Sequence, residues 1–121
     1  WHEVVRTRNP ALLNQVLAED AVFHSPIVFR PQQGRDLVAL HLSGAMHVIA
    51  NPSFRYVRQV VDGNDAVLEF ESEIDGIHVN GVDMITWNDH GRISDFKVMV
   101  RPLKAINVVH QRMAELLQQM A

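Results

Sequence analysis

Cysteine is absent from the 121 residues. This excludes disulfides, thiol catalysis and cysteine-ligated zinc or iron–sulfur centres. No apolar run approaches the ~18 residues a spanning helix needs, so no membrane is expected as a partner. Neither sign of charge dominates: 11 basic against 14 acidic side chains give −3. Such a balance attracts a phosphate backbone weakly, and nucleic acid is not expected as a partner. The six glycines are scattered along the chain, without a phosphate loop or a Gly-x-Ser-x-Gly elbow. The seven histidines include no i, i+4 pair and no His-x-His, so no metal and no other cofactor is expected. No signal peptide is visible, which points to a cytoplasmic domain. A start at Trp1 without Met points to a segment upstream.

What is present is enough apolar material for a core: 47% hydrophobic and 21% charged residues. At ~150 residues per domain the length predicts a single domain over 1–121. Trp1 to Arg8 reads as the end of a helix. Asn9-Pro10 restarts it, Asn as cap and Pro at the first helical position. Leu12, Leu13, Val16 and Leu17 repeat at helical spacing up to Ala18. Ala21 to Ser25 reads as a short strand and 26–34 as loop. A helix opening at Gly34 or Asp36 and stopped by Asn51-Pro52 carries Leu37, Leu40, His41, Gly44, Ala45 and Val48 on its predicted apolar face.

Strands follow. Phe54 to Val61 is aromatic and β-branched, and Asp62 to Asp65 is a turn. Ala66 to Ile74 alternates Leu68, Phe70, Ser72 and Ile74 against Glu69, Glu71 and Glu73. Asp75-Gly76 is a hairpin signal. Val79 to Trp87 is the next strand, with Asn80-Gly81 read as a bulge. After the Asn88 to Gly91 turn, Ile93 to Arg101 alternates Phe96, Val98 and Val100 against Asp95, Lys97, Met99 and Arg101. Beyond Pro102, a closing helix carries an expected stripe of Leu103, Ile106, His110, Met113, Leu117 and Met120. The fold class is α+β, with helices on one face of a curved antiparallel sheet. The glutamates are expected to pair across the sheet with Lys97 and Arg101. That face is expected to be solvated or to join two copies in a homodimer.

Four strings in order carry a resemblance: Leu17 to Pro26, Gly34-Arg35, Gly81 to Ile85, and Gly91-Arg92-Ile93. With them the chain resembles the nuclear transport factor 2-like superfamily, which includes SnoaL-like cyclases and ketosteroid isomerases. The resemblance implies a cone-shaped sheet around helices with a pocket between them, and often a dimer through the convex face. It also implies where polar groups would stand. The isomerase general base falls on Ser25, and the first-helix Tyr that donates to the oxyanion falls on Trp1. The strand Asp that donates beside it matches Asp83, so one of three polar roles is kept. The Arg beside a strand Asp in the epoxide-hydrolase branch has no counterpart in Val67 to Ile74.

Asp83 is the most informative residue. Period two places it on one strand face with Ile85 and Trp87. A carboxyl among apolar walls either finds a donor or stays neutral with a raised pKa, and both suit an acid or base. The alternative is an Asp held by a backbone N–H or an interior His. His41, where the isomerases place an aromatic pocket residue, is expected to pair with Asp83 and shuttle a proton, or else to be a core histidine. Ser25 or His24 would orient a ligand, Ser25 toward the pocket and His24 toward the edge or solvent. Trp1, Tyr56, Trp87 and Phe96 are candidate aromatic walls or plain core. Three readings stand: a cofactor-independent isomerase, dehydratase or cyclase acting on a small apolar molecule, a binding module for such a ligand, and a dimerisation domain with a filled cone.

Overall fold

The computed structural model describes residues 1–120, the Met120 side chain apart. The elements run α1 (His2–Thr7), α2 (Pro10–Val16), β1 (Leu17–His24), β2 (Gln32–Gln33), α3 (Arg35–Ile49), β3 (Arg55–Asp62), β4 (Asp65–Ile74), β5 (Ile77–Trp87), β6 (Ile93–Arg101) and α4 (Leu103–Met120). This is the α+β class the sequence pattern predicts. Asn9 caps α2 as expected, its side chain accepting from the Ala11 N–H at 3.0 Å. The six strands form one curved sheet in the order β2-β1-β6-β5-β4-β3. The β1–β6 pairing is parallel and the other four are antiparallel. Among the described residues no helix is long and apolar enough to cross a membrane.

Several local expectations are corrected. Strand β1 begins at Leu17, where a helical turn is expected, because Leu17 is fully buried and pairs with Ile93. The short β2 lies in the segment read as loop. Helix α3 buries Val38, Leu42, Met46 and Ile49, while Leu37 and Leu40 are exposed. The helix is covered on two sides, by the sheet and by α4, so its expected face is only half right. In α4 the buried residues are Ala105, Val108 and Val109, while Leu103, His110 and Leu117 are exposed. The small Ala105 sits at the contact. The Met120 side chain of the expected stripe lies outside the described residues.

Asn80-Gly81 forms no bulge in the β4–β5 ladder, which is regular from Asp65↔Thr86 to Ile74↔Ile77. Gly81 is needed for close approach: a Cβ there would stand 2.4 Å from Phe70 Cζ and 2.7 Å from the Met99 carbonyl oxygen. A bulge lies instead in β3, one of several register shifts in the sheet, where Tyr56 pairs with Phe70 and Arg58 with Glu69. The extra residue is Val57. Below it Val61 opposes Ala66 and Gln59 opposes Leu68, so a regular ladder would set Val57 opposite Phe70 on the core side. The bulge gives that place to Tyr56. The glutamate pairing is also corrected. β5 separates β4 from β6, so the partners are on β3: Arg55 with Glu71 at 2.8 Å and Arg58 with Glu69 at 3.5 Å.

Candidate functional site

Asp83 lies on the core-facing side of central strand β5, between Leu68 of β4 and Val98 of β6. It is 6% exposed, one of two buried polar residues in the described core, with Ser72. The Tyr56 hydroxyl donates to Asp83 Oδ2 at 2.7 Å. The Trp1 indole Nε1–H donates to the Tyr56 oxygen at 2.8 Å. An indole can only donate, which fixes the direction of the Trp1–Tyr56 link, and the Tyr56 hydroxyl passes its own hydrogen on to the Asp83 carboxylate. Asp83 Oδ1 has no hydrogen-bond partner among the described residues, yet it is not among the occluded unpaired atoms. The residue lines a hollow.

That hollow lies between the sheet and α3. Trp1, Phe54, Phe70 and Phe96 form aromatic walls, and Leu42, Ala45, Met46 and Ile49 of α3 form the opposite side. The rings lock one another, Trp1 edge-on to Phe96 at 4.7 Å and Phe54 stacked on Phe70 at 5.3 Å. The space between atoms is about 380 Å³, part of it open to solvent. The cavity itself is small, about 40 Å³. A larger guest must therefore spread the walls, and the unbranched Met46 side chain is the most adaptable of them.

Burial pushes the Asp83 carboxyl up to about 7, and the hydrogen bond from Tyr56 offsets only part of this rise. Burial, then the negative charge of Asp83 and the bond to it, push the Tyr56 hydroxyl far above its ordinary value. Near neutral pH the site thus holds a carboxyl that can exist in either state beside a phenol that stays protonated. Such a pair can donate a hydrogen bond, or a proton, to an oxygen placed in the hollow.

The other expected residues divide. Phe96, Trp1 and Tyr56 line the hollow, and Tyr56 also donates a hydrogen bond to Asp83. His41 does not pair with Asp83, whose side chain bonds Tyr56 alone among the described residues; the His41 ring stacks on Phe23 at 6.0 Å. His24 turns away and pairs with Asp95 at 2.9 Å. Ser25 anchors the following turn, its Oγ accepting from the N–H groups of Ile27 at 3.0 Å and Val28 at 3.4 Å. Trp87 lies beyond a register shift at the end of β5, packs against the core edge and does not line the hollow. The Tyr56–Asp83 bond is the feature that sequence reasoning missed. The signal was a lone tyrosine on a strand paired, through β4, with the strand bearing Asp83.

Residues 1–96 match the family model described as a SnoaL-like domain. The chain belongs to the SnoaL-like family. The SnoaL-like chain also superposes on a crystal structure of a steroid delta-isomerase from Pseudomonas aeruginosa, at 35% identity and a TM-score of 0.93, covering 99% of this chain and 88% of that one. An uncharacterized bacterial protein with a cystatin-like fold from Silicibacter pomeroyi DSS-3 is similar at 35% identity and a TM-score of 0.88, over 96% and 81% of the two chains. A de novo designed protein with a curved β-sheet also superposes, at 19% identity and a TM-score of 0.74, over 95% and 91%. That likeness shows the fold alone, and function must be argued from the site. No curated protein matches the chain.

Proposed function

We propose that the hollow receives a small apolar carbonyl compound and that the protein is a cofactor-independent isomerase, dehydratase or cyclase with Asp83 as its acid–base group. The carrying observation is geometric: a buried carboxyl on the wall of an apolar hollow, with one oxygen held by the Tyr56 hydroxyl at 2.7 Å. The likeness to a steroid delta-isomerase over nearly the whole chain supports it. A carbonyl oxygen hydrogen-bonded at Asp83 is polarised, and the neighbouring C–H becomes more acidic. The test is deuterium uptake by 2-tetralone, an apolar enolisable ketone, in D2O followed by NMR. The wild type should accelerate exchange over buffer, and Asp83→Asn should lose at least about 100-fold of that acceleration. Binding of 2-tetralone without accelerated exchange would overturn the catalytic reading and leave a ligand-binding module.

A second reading concerns assembly. Cross-strand pairs Val60–Val67, Val67–Met84 and Val82–Met99 place an apolar patch on the outer sheet face, with Met99 49% exposed. We propose that this patch joins two copies of the chain. Light scattering after gel filtration should give a dimer that Met84→Lys dissociates. A wild-type monomer at micromolar concentration would remove this reading.

A further inference from the structure

The first hollow has one acid and no free base. Beyond Asp83, Tyr56 and Trp1 its lining is hydrocarbon and the Met46 thioether. The Tyr56 oxygen already accepts from Trp1 and donates to Asp83. Asp83 has one free oxygen. While that oxygen serves the oxygen of a guest, it cannot also take a proton from the carbon skeleton. A transfer that begins at carbon needs an acceptor elsewhere.

A second hollow adjoins the first and shares Ala45, Ile49 and Val98 with it. Its space between atoms is about 370 Å³, again partly open. His41 stands in its wall, one turn from Ala45 and two turns from Ile49 on the same face of α3. The remaining walls come from Phe23 and Ser25 near β1, the Pro26-Ile27 turn, Val98 of β6, and Val109 and Met113 of α4. None of these is titratable or charged. The ring nitrogens of His41 have no hydrogen-bond partner among the described residues, and the Phe23 ring holds the imidazole plane. Burial lowers the imidazole below its ordinary value, which favours its neutral form.

We propose that His41 is the proton acceptor of the reaction, working from the second hollow on a ligand whose carbonyl oxygen rests at Asp83 in the first. This deepens, and rests on, the carbonyl reading above. The ligand class is an enolisable ketone or aldehyde whose apolar body lies across Ala45 and reaches both hollows. The imidazole lone pair takes a proton from a carbon that the carbonyl acidifies. The C–H electron pair becomes a C=C bond, the carbonyl π pair moves to oxygen, and that oxygen takes the Asp83 proton. In the return, the imidazolium gives its proton to the same carbon or a conjugated one, and Asp83 recovers its own. The protein is restored, and the ligand is exchanged or isomerised without any other reactant.

The experiment is 2-tetralone exchange in D2O with wild type, His41→Ala, His41→Gln and Asp83→Asn. Both His41 variants should lose at least about 100-fold of the acceleration. Free imidazole in the buffer should restore part of the His41→Ala rate and none of the Asp83→Asn rate. When the imidazole is replaced by a base of different pKa, the acid limb of the rescued His41→Ala profile should move to the pKa of that base. Wild-type rates in His41→Gln, or a His41→Ala variant that imidazole does not rescue, would overturn the assignment while leaving Asp83 in place. A wild type without accelerated exchange would overturn both.

Discussion

The Tyr56 hydroxyl donates a hydrogen bond to Asp83 Oδ2 at 2.7 Å and accepts one from the Trp1 indole at 2.8 Å. The bond favours the ionised carboxyl and opposes the larger effect of burial. Its removal must therefore raise the Asp83 value beyond about 7. Tyr56→Phe leaves the ring in the wall and deletes only the donor. Carbon-13 NMR of the Asp83 carboxyl in Tyr56→Phe should titrate at higher pH than in wild type. A lower midpoint would mean that the phenol is not the donor that holds this group.

The same carboxyl links folding to pH. Unfolded, an Asp titrates near ~3.9; folded, Asp83 titrates at about 7. Below the first value both states are protonated and the folded state keeps its full stability. Between the two the native state binds the extra proton, so stability falls as pH rises, and it levels off above the second. The total is on the order of 4 kcal/mol. Asp83→Asn cannot ionise. Urea unfolding of both proteins from pH 4 to pH 8 should show the variant gaining on the wild type with increasing pH. A constant difference across that range would contradict the raised value.

Local signals made much of the fold legible. Asn9-Pro10 starts α2, Gly34 starts α3, and the Asp75-Gly76 turn sets the β4–β5 register. Alternation in β4 and β6 reports their core faces correctly, because each side of those strands meets a different medium. What stayed hidden depends on distant partners. Leu17 to Asp20 suit a helix until Ile93 of β6 lies alongside. The partner of Asp83 stayed hidden for a similar reason. Strict alternation from Val61 and Gln59 turns Val57 inward, and only the bulge presents Tyr56.

Gly81 offers a direct check on the wall beside Asp83. The Phe70 ring crosses β5 where Gly81 has no side chain, and Phe70 lines the hollow. In Gly81→Ala the new methyl meets both that ring and the Met99 carbonyl, and the carbonyl cannot yield. Overpacking of this kind costs ~1–3 kcal/mol. The variant should unfold at lower urea concentration and show a changed Phe70 ring environment by NMR. Wild-type stability would mean that the ring does not lie across the glycine.

The phase of α3 decides which of its residues face the hollow, and two leucines two positions apart separate the alternatives. The apolar stripe read from sequence puts Leu40 inside. In the structure Leu40 is 40% exposed, while Leu42 is 2% exposed and lines the hollow. Truncating a buried leucine removes its transfer energy and leaves a cavity, at ~2–5 kcal/mol. Truncating one on the surface falls within about 0.5 kcal/mol. Leu42→Ala should therefore be much the less stable variant. It should also bind 2-tetralone more readily than Leu40→Ala, because the space it opens adjoins the carboxyl. If Leu40→Ala were the more damaging, α3 would be rotated, and His41, Ala45 and Ile49 would no longer share a wall of the two hollows.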